Sequence, residues 1–586
     1  MNYDLNKLNK EQQKTSTLAG LKKLLQLIAH EKRTLMLALI AILVNSTLVL
    51  LGPFIVGHTI DTYVQHKNFG GVIHNAVILL CMFLAALFTS YMQTTLMGGV
   101  GQRMLFTLRN SIFNKLQQLP VGFFNQNKAG DLISRVNNDT DKLNQFFSQS
   151  LMQFIGNIST MVGAGIFLLL INIELGAAAL SPAVIILILT LVLSPWIKRK
   201  NALNLKSVGG MSAEIQESLN NFKVIIAFNR RDYFRKRFDV ANRDNYKTAI
   251  GAGLANNVFV PVYGLFASIA QLIVLAFGIY LISRGQFSIG LLVSYLSYAT
   301  NFYNPLRQLA ALWTNFQVAM AGWDRISQIL SLETDLPLLP VGITEPSAEL
   351  LEFRNVHFGY DEGREILHNI SFKLGQGKTY ALVGPTGGGK TTTASLIARL
   401  YDPSKGMVLL DGKDIRSYSP EERSQKIGFI LQEPFLFTGT VKDNILYGNE
   451  LYKDHTNEQL EKVIIDANLG TLLAIFESGL ETKVLSGGDS ISLGQKQLIA
   501  FMRAVLRNPQ ILILDEATAN IDTITEKLLS DILNKLPETT TRVIIAHRLN
   551  TIENADEIFF VNSGEVIRAG SLNDAMDMLL QGKRVS

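Results

Sequence analysis

The run Gly384-Pro385-Thr386-Gly387-Gly388-Gly389-Lys390-Thr391 has the residue types and spacing of a phosphate cradle, G-x-x-x-x-G-K-[ST]. Its glycines leave backbone N–H groups free to wrap phosphate oxygens, and a helix opening after them adds its positive end. Lys390 would bring a point charge to the β and γ phosphates, and the Thr391 hydroxyl would be a ligand to Mg²⁺. A second group stands at 510–516, where an apolar run ends in Asp515 and Glu516. Alternation along a strand sends the two carboxylates to different faces. Asp515 can then hold Mg²⁺ through water while Glu516 polarises an attacking water as general base. A surface carboxylate pair at a strand end is the plainer reading, and it loses weight once the phosphate loop is present. The chemistry is phosphoryl transfer to water.

These residues need a parallel sheet beneath them. A strand over 379–383 feeds the glycine loop, and a second over 510–514 feeds the carboxylates. From Leu351 to about Leu580, short β-branched runs and glycine turns alternate with helical stretches, the pattern of an α/β nucleotide-binding domain. Ahead of it, 331–349 carries Pro337, Pro340 and Pro346 among acidic residues and reads as a linker.

The first half has another character. Of the 586 residues 48% are hydrophobic and only 18% charged, too apolar for a chain that faces water alone. Apolar stretches of about 20 residues, enough to cross a bilayer, are predicted at 34–57, 75–97, 150–171, 176–197, 255–283 and 288–312. Lys and Arg gather on alternate connections, as cytoplasmic loops require: Arg103, Arg109, Lys115, Lys128 and Arg135 in one, Lys198 through Lys247 in another. Both connections are long enough for the helices to continue into the cytoplasm. The polar start of the chain carries no signal-peptide pattern, which predicts a cytoplasmic N-terminus over 1–33 with an interfacial helix at 18–30. Asn45, Gln93 and Gln271 inside the spans are expected to bond between helices. A net charge of +5 with no basic tract argues against nucleic acid as a partner, and one cysteine, Cys81, excludes an internal disulfide or a Cys-rich zinc site.

With these motifs in place the second half resembles the ATPase domain of ABC transporters, and the fused six-span half resembles an exporter-type half-transporter. The expected architecture is a multidomain membrane protein. An all-α six-helix transmembrane domain with long cytoplasmic extensions occupies 34–330, and an α/β P-loop ABC ATPase domain occupies 350–586. The resemblance implies ATP and Mg²⁺ as cofactors, with Tyr360 in VHFGY stacking on adenine and 384–391 together with Thr392 holding the phosphates. It implies Gln432 in FILQEPFLF as a residue that touches Mg²⁺, His547 in IIAHRL as the histidine on the γ-phosphate, and Asp522 in ATANID as part of the D-loop. Catalysis would rest on Glu516, His547 and Gln432, and the metal on Thr391, Gln432 and Asp515. The segment 119–143 is similar to the first cytoplasmic loop of exporters, with a coupling helix over 121–129, and 220–234 is similar to the second.

The string Leu485-Ser486-Gly487-Gly488 looks like the family's signature but is followed by Asp489, where Gln is usual. In the family the signature Gln stands about twenty positions before the Walker B aspartate, here Asp515, which selects Gln495 and makes the working signature Ser492-Leu493-Gly494-Gln495. These residues would meet ATP held by the partner, and Leu493 puts a bulky side chain where glycine is usual. A degenerate signature beside intact Walker motifs resembles one subunit of heterodimeric bacterial multidrug exporters. The expected function is therefore ATP-driven efflux of hydrophobic or amphipathic compounds from the cell membrane, in which the chain is multi-pass with a cytoplasmic ATPase domain. The expected partners are a second half-transporter with a degenerate Walker B and an intact signature, the lipid bilayer and a small hydrophobic substrate. The alternative is a homodimeric lipid flippase or lipid exporter on the same engine. A soluble mechanical ATPase conflicts with the six spans, and a gated membrane protein that does not pump conflicts with Glu516.

Overall fold

The computed structural model describes residues 3–5, 31–333, 336–340, 349–360, 363–485, 491–515, 523–545, 555–570 and 572–581. The interfacial helix expected at 18–30 and the linker segment 341–348 lie outside them. The chain divides into two compact units, one of 12–116 and 130–331, the other of 1–11, 117–129 and 332–586. The first coupling segment thus packs with the ATPase unit.

The helical unit is built from long rods: Lys32–Thr59, Phe69–Gln117, Leu151–Ile171, Ile173–Asn220, Arg231–Asn257, Phe259–Ser283 and Ile289–Ser331. Among the described residues five helical stretches are long and apolar enough to cross a membrane: Lys32–Val64, Phe69–Gln117, Ala129–Ile171, Ile173–Asn220 and Arg231–Ser283. Their outer faces carry exposed apolar side chains such as Leu80, Leu87 and Phe88, a surface that only lipid or a partner can cover. The sixth expected span, 288–312, falls on the helix Ile289–Ser331 but is not among the five. Its first turns are rich in Ser, Tyr, Thr and Asn, which lowers their hydropathy, and the structure spends these groups between helices. The Ser294 hydroxyl donates to the Pro53 carbonyl at 2.7 Å, Tyr298 to Leu50 at 2.8 Å and Tyr303 to Ala179 at 2.8 Å. This hydroxyl face closes most tightly where Gly290 meets Gly57, since a Cβ on either would collide with the other's carbonyl oxygen. Two of the expected interhelical polar residues behave as expected: Asn45 accepts from the Thr89 hydroxyl at 3.3 Å, and the Gln271 amide donates to Thr300 at 3.0 Å. Gln93 differs, its Oε1 being buried with no hydrogen-bond partner among the described residues.

In the ATPase unit a six-stranded sheet runs in the order 565–568, 557–562, 379–383, 541–545, 511–515 and 427–430. All its neighbours are parallel except the edge pair 557–562 and 565–568. The strands 379–383 and 511–515 are buried at every position, as the centre of a sheet covered on both faces requires. A smaller antiparallel sheet holds Leu351–Phe358 between Leu367–Leu374 and Lys405–Leu410.

Candidate nucleotide-binding site

The glycine loop leaves the strand Thr379–Val383 at its carboxyl end and opens the helix Lys390–Ile397. Gly384, Gly387 and Gly389 have φ of 147°, 82° and 115°, backbone that side chains resist. At Gly384 and Gly388 a Cβ would also collide with the Val561 carbonyl oxygen, and at Gly389 with the Leu367 side chain. Gly564 N–H donates to the Gly388 carbonyl at 3.1 Å. The turn after Glu557–Asn562 therefore presses on the back of the loop, and its front can approach a ligand by backbone alone. Lys390 is only 5% exposed, and its ammonium donates to the carbonyls of Gly384 at 2.9 Å and Pro385 at 3.0 Å. Its charge thus sits inside the ring of backbone that would surround a phosphate.

The Thr391 hydroxyl donates to Asp515 Oδ1 at 3.3 Å, with Asp515 4% exposed at the end of its strand. The intervening strand sets that distance: Ile545 pairs with Asp515 on one side and with Leu382 on the other. A hydroxyl and a buried carboxylate are hard oxygen donors of the kind Mg²⁺ takes. The described residues hold no cluster of three His, Cys, Asp or Glu, so a divalent ion here would lean on phosphate oxygens and water for its remaining ligands. The residues fit Mg²⁺ with ATP.

Tyr360 is 39% exposed, and its hydroxyl shares a hydrogen bond with Thr392 Oγ1 at 3.2 Å. Edge contacts with Phe358 and Tyr401, each at 5.0 Å between ring centroids, hold its ring upright and leave a face open for a base. Gln432 is exposed just past the strand Ile427–Ile430, in a loop braced by Arg503. That guanidinium donates to the Phe435 carbonyl at 3.1 Å and the Asn444 carbonyl at 2.7 Å, and burial lowers its pKa from the ordinary arginine value. Ser492 caps the helix Leu493–Val505: its side chain accepts from Gln495 N–H at 3.2 Å while Gln495 Oε1 accepts from Ser492 N–H at 3.0 Å. Leu493, at the first helical position, is 39% exposed. Glu516, Asp522 and His547 lie outside the described residues, as do Ser486 to Asp489 of the LSGG-like string.

Sequence reading missed Tyr401 and Arg503. Tyr401 receives a hydrogen bond at 2.7 Å from Asn125, on the short helix Val121–Gln126 of the same unit. No local pattern announces that contact, which joins residues far apart in the chain.

A P-loop site on a parallel sheet, fused to membrane-spanning helices, defines an ATPase coupled to a transmembrane transporter. The chain belongs to the ABC transporter family: the ABC transporter transmembrane region matches residues 35–306, and the ABC transporter model matches 367–519. It is a multi-pass membrane protein with a cytoplasmic ATPase domain that binds ATP with Mg²⁺. The chain is 32% identical over 565 residues to an uncharacterized ABC transporter ATP-binding protein of Bacillus subtilis, YfiC, covering 95% of this chain and 92% of that protein. It is 33% identical over 517 residues to a fatty acid ABC transporter ATP-binding/permease protein of Mycobacterium bovis, covering 86% and 80%. The fold is similar to that of a bacterial Atm1-family ABC exporter solved with ATP bound, at a TM-score of 0.77 and 23% identity, covering 94% of this chain and 96% of that one.

Proposed function

We propose that this chain is one half of an exporter for amphipaths that carry an acyl chain, lipid or fatty acid, driven by ATP hydrolysis. The observation that carries this reading is a cavity of about 410 Å³ in the helical unit, walled by Leu35, Ile42, Met97, Phe146, Ile155 and Trp313 among others. No charged side chain lines it, and its one hydroxyl, Ser150, already accepts a hydrogen bond from Asn315 at 3.2 Å. The size suits a small ligand. A cation there would lose its hydration without meeting a carboxylate, whereas an alkyl chain loses nothing. The Mycobacterium bovis relative, named for fatty acid, supports the same substrate class. In the ATPase site Tyr360 would stack on the base, Lys390 and the glycine loop would hold the phosphates, and Thr391, Asp515 and Gln432 would hold the metal. Glu516 activates water, His547 meets the γ-phosphate, and Asp522 serves the D-loop.

The test is ATP hydrolysis by the reconstituted protein with oleate or with ethidium added. Oleate should stimulate turnover, and Ile42→Trp, which fills the cavity, should raise the half-stimulating oleate concentration about tenfold, near 1.4 kcal/mol of lost binding. Stimulation by ethidium and not by oleate would overturn the reading in favour of multidrug efflux.

One observation favours a second reading of the pairing. Leu493 projects from the first turn of a helix whose amino end, by the family's pattern, faces the partner's ATP. In that reading the partner is a different half-transporter with an intact signature and a degenerate Walker B. The chain purified alone in lipid would then bind ATP and hydrolyse little of it, and Leu493→Gly should raise its turnover about tenfold. Robust turnover by the unmodified chain, unchanged by Leu493→Gly, would show a working homodimer instead.

A further inference from the structure

Among the described residues, Tyr3, Asp4 and Leu5 from the start of the sequence belong to the ATPase unit. Tyr3 is 2% exposed and Leu5 fully buried, so neighbouring groups must hold them. Two amide side chains from the first coupling segment do so. Gln126 Oε1 accepts from Tyr3 N–H at 2.7 Å. Asn127 Oδ1 accepts from Leu5 N–H at 3.2 Å, and its Nδ2 donates both to the Tyr3 carbonyl at 2.9 Å and to the Phe123 carbonyl at 2.8 Å. Asn127 is itself buried, so with Tyr3 and Leu5 removed its amide would keep only the bond to Phe123. The Tyr3 ring meets the buried Phe123 ring edge-on at 6.3 Å, and its hydroxyl donates to the Glu333 carbonyl at 3.2 Å.

The helix Val121–Gln126 that these residues grip is too short to hold its own shape. It is also one contact away from the base-binding aromatic. Asn125 donates to the Tyr401 hydroxyl at 2.7 Å, Tyr401 braces Tyr360 at 5.0 Å, and Tyr360 bonds Thr392 at 3.2 Å. Tyr3, Gln126, Asn125, Tyr401 and Tyr360 wall one cavity of about 550 Å³.

We infer that Tyr3–Leu5 is a clasp that locks the first coupling helix onto its own ATPase domain, so that closure around nucleotide moves the helix instead of slipping past it. Tyr3 and Leu5 are positioning residues: they hold Gln126, Asn127 and Phe123, and their effect runs through Val121–Gln126. Their removal should separate hydrolysis from transport.

The experiment uses the full chain in lipid as a pair of copies, with Cys81→Ser and a spin label at Gln286→Cys in an exposed turn between apolar helices, so that the distance is read between the two copies. ATP turnover and the change in label distance on trapping with ATP, Mg²⁺ and vanadate are measured side by side. In Y3A/L5A, turnover should stay within about twofold of the parent while the fraction of molecules that change distance falls by about half or more. Asn127→Leu, which leaves the clasp peptide intact and removes its receptor, should reproduce that split, and Y3F/L5I, which keeps the packing, should behave as the parent. A full distance change in Y3A/L5A overturns the inference. So does loss of turnover together with the distance change in both disruptive variants, since the three residues would then be supporting the ATPase fold alone.

Discussion

Glu516→Gln in the reconstituted protein is expected to lower Mg²⁺-dependent ATP turnover about a thousandfold while ATP binding stays within about twofold of the parent, the upper-middle of what a general base contributes. The reason lies in the strand that leads to it. Ile511–Asp515 is buried throughout and brings Asp515 within 3.3 Å of the Thr391 hydroxyl, the pair proposed above to hold the metal. Strand alternation is expected to send Glu516 to the other face. A carboxylate there would be free of the metal and could take a proton from water, whereas the amide of Gln keeps the shape and cannot. Turnover that falls by less than about tenfold would remove Glu516 from the role of base. The same variant is the blank for every other hydrolysis measurement on this chain.

Lys390→Ala should act one step earlier, on binding. The ammonium is buried and already donates to the carbonyls of Gly384 and Pro385. It is therefore desolvated and aimed before any phosphate arrives. Charge-assisted hydrogen bonds of this kind contribute about 1.5–3 kcal/mol each, so ATP affinity should fall about 10- to 100-fold. Turnover should fall further, because the same charge offsets the negative charge that builds on the phosphate oxygens in the transition state. Titration with a fluorescent ATP analogue checks the first part, and turnover at saturating ATP the second. Unchanged affinity would mean that the ammonium remains tied to the loop carbonyls when nucleotide binds.

The two variants separate by their order of failure. Glu516→Gln should bind and stall, and Lys390→Ala should bind poorly and also stall. If both bind normally, the phosphate cradle is held by backbone alone. The close approach of Gly384 and Gly388 to the Val561 carbonyl would then be the dominant feature of the loop.

Much of this was legible in contiguous residues. The glycine loop, the strand before it and the helix after it are a short-range code: positive φ at Gly384, Gly387 and Gly389 needs glycine, and a burial-ready run such as 511–515 needs apolar residues in a row. Apolar length likewise marks a span, which is why the expected 34–57 and 255–283 fall within the stretches Lys32–Val64 and Arg231–Ser283. The same rule leaves the stretch at 288–312 out of the five. There the polar residues carry the packing, and hydropathy cannot tell a hydroxyl that faces water from one bonded to the next helix.

What the sequence by itself determined, then, is the class: an ATP site of one family joined to membrane helices, each part written in neighbouring residues whose spacing follows the period of a strand, a helix or a loop. Only the tertiary structure decided the separation of Thr391 from Asp515, the bracing of Tyr360 by Tyr401 and the burial of Tyr3 and Leu5 against the coupling segment. The physical reason is separation along the chain. Leu5 and Asn127 are 122 positions apart, and Asn125 and Tyr401 are 276 apart. No local periodicity links such residues, and they meet because the folded core leaves each a single place to go.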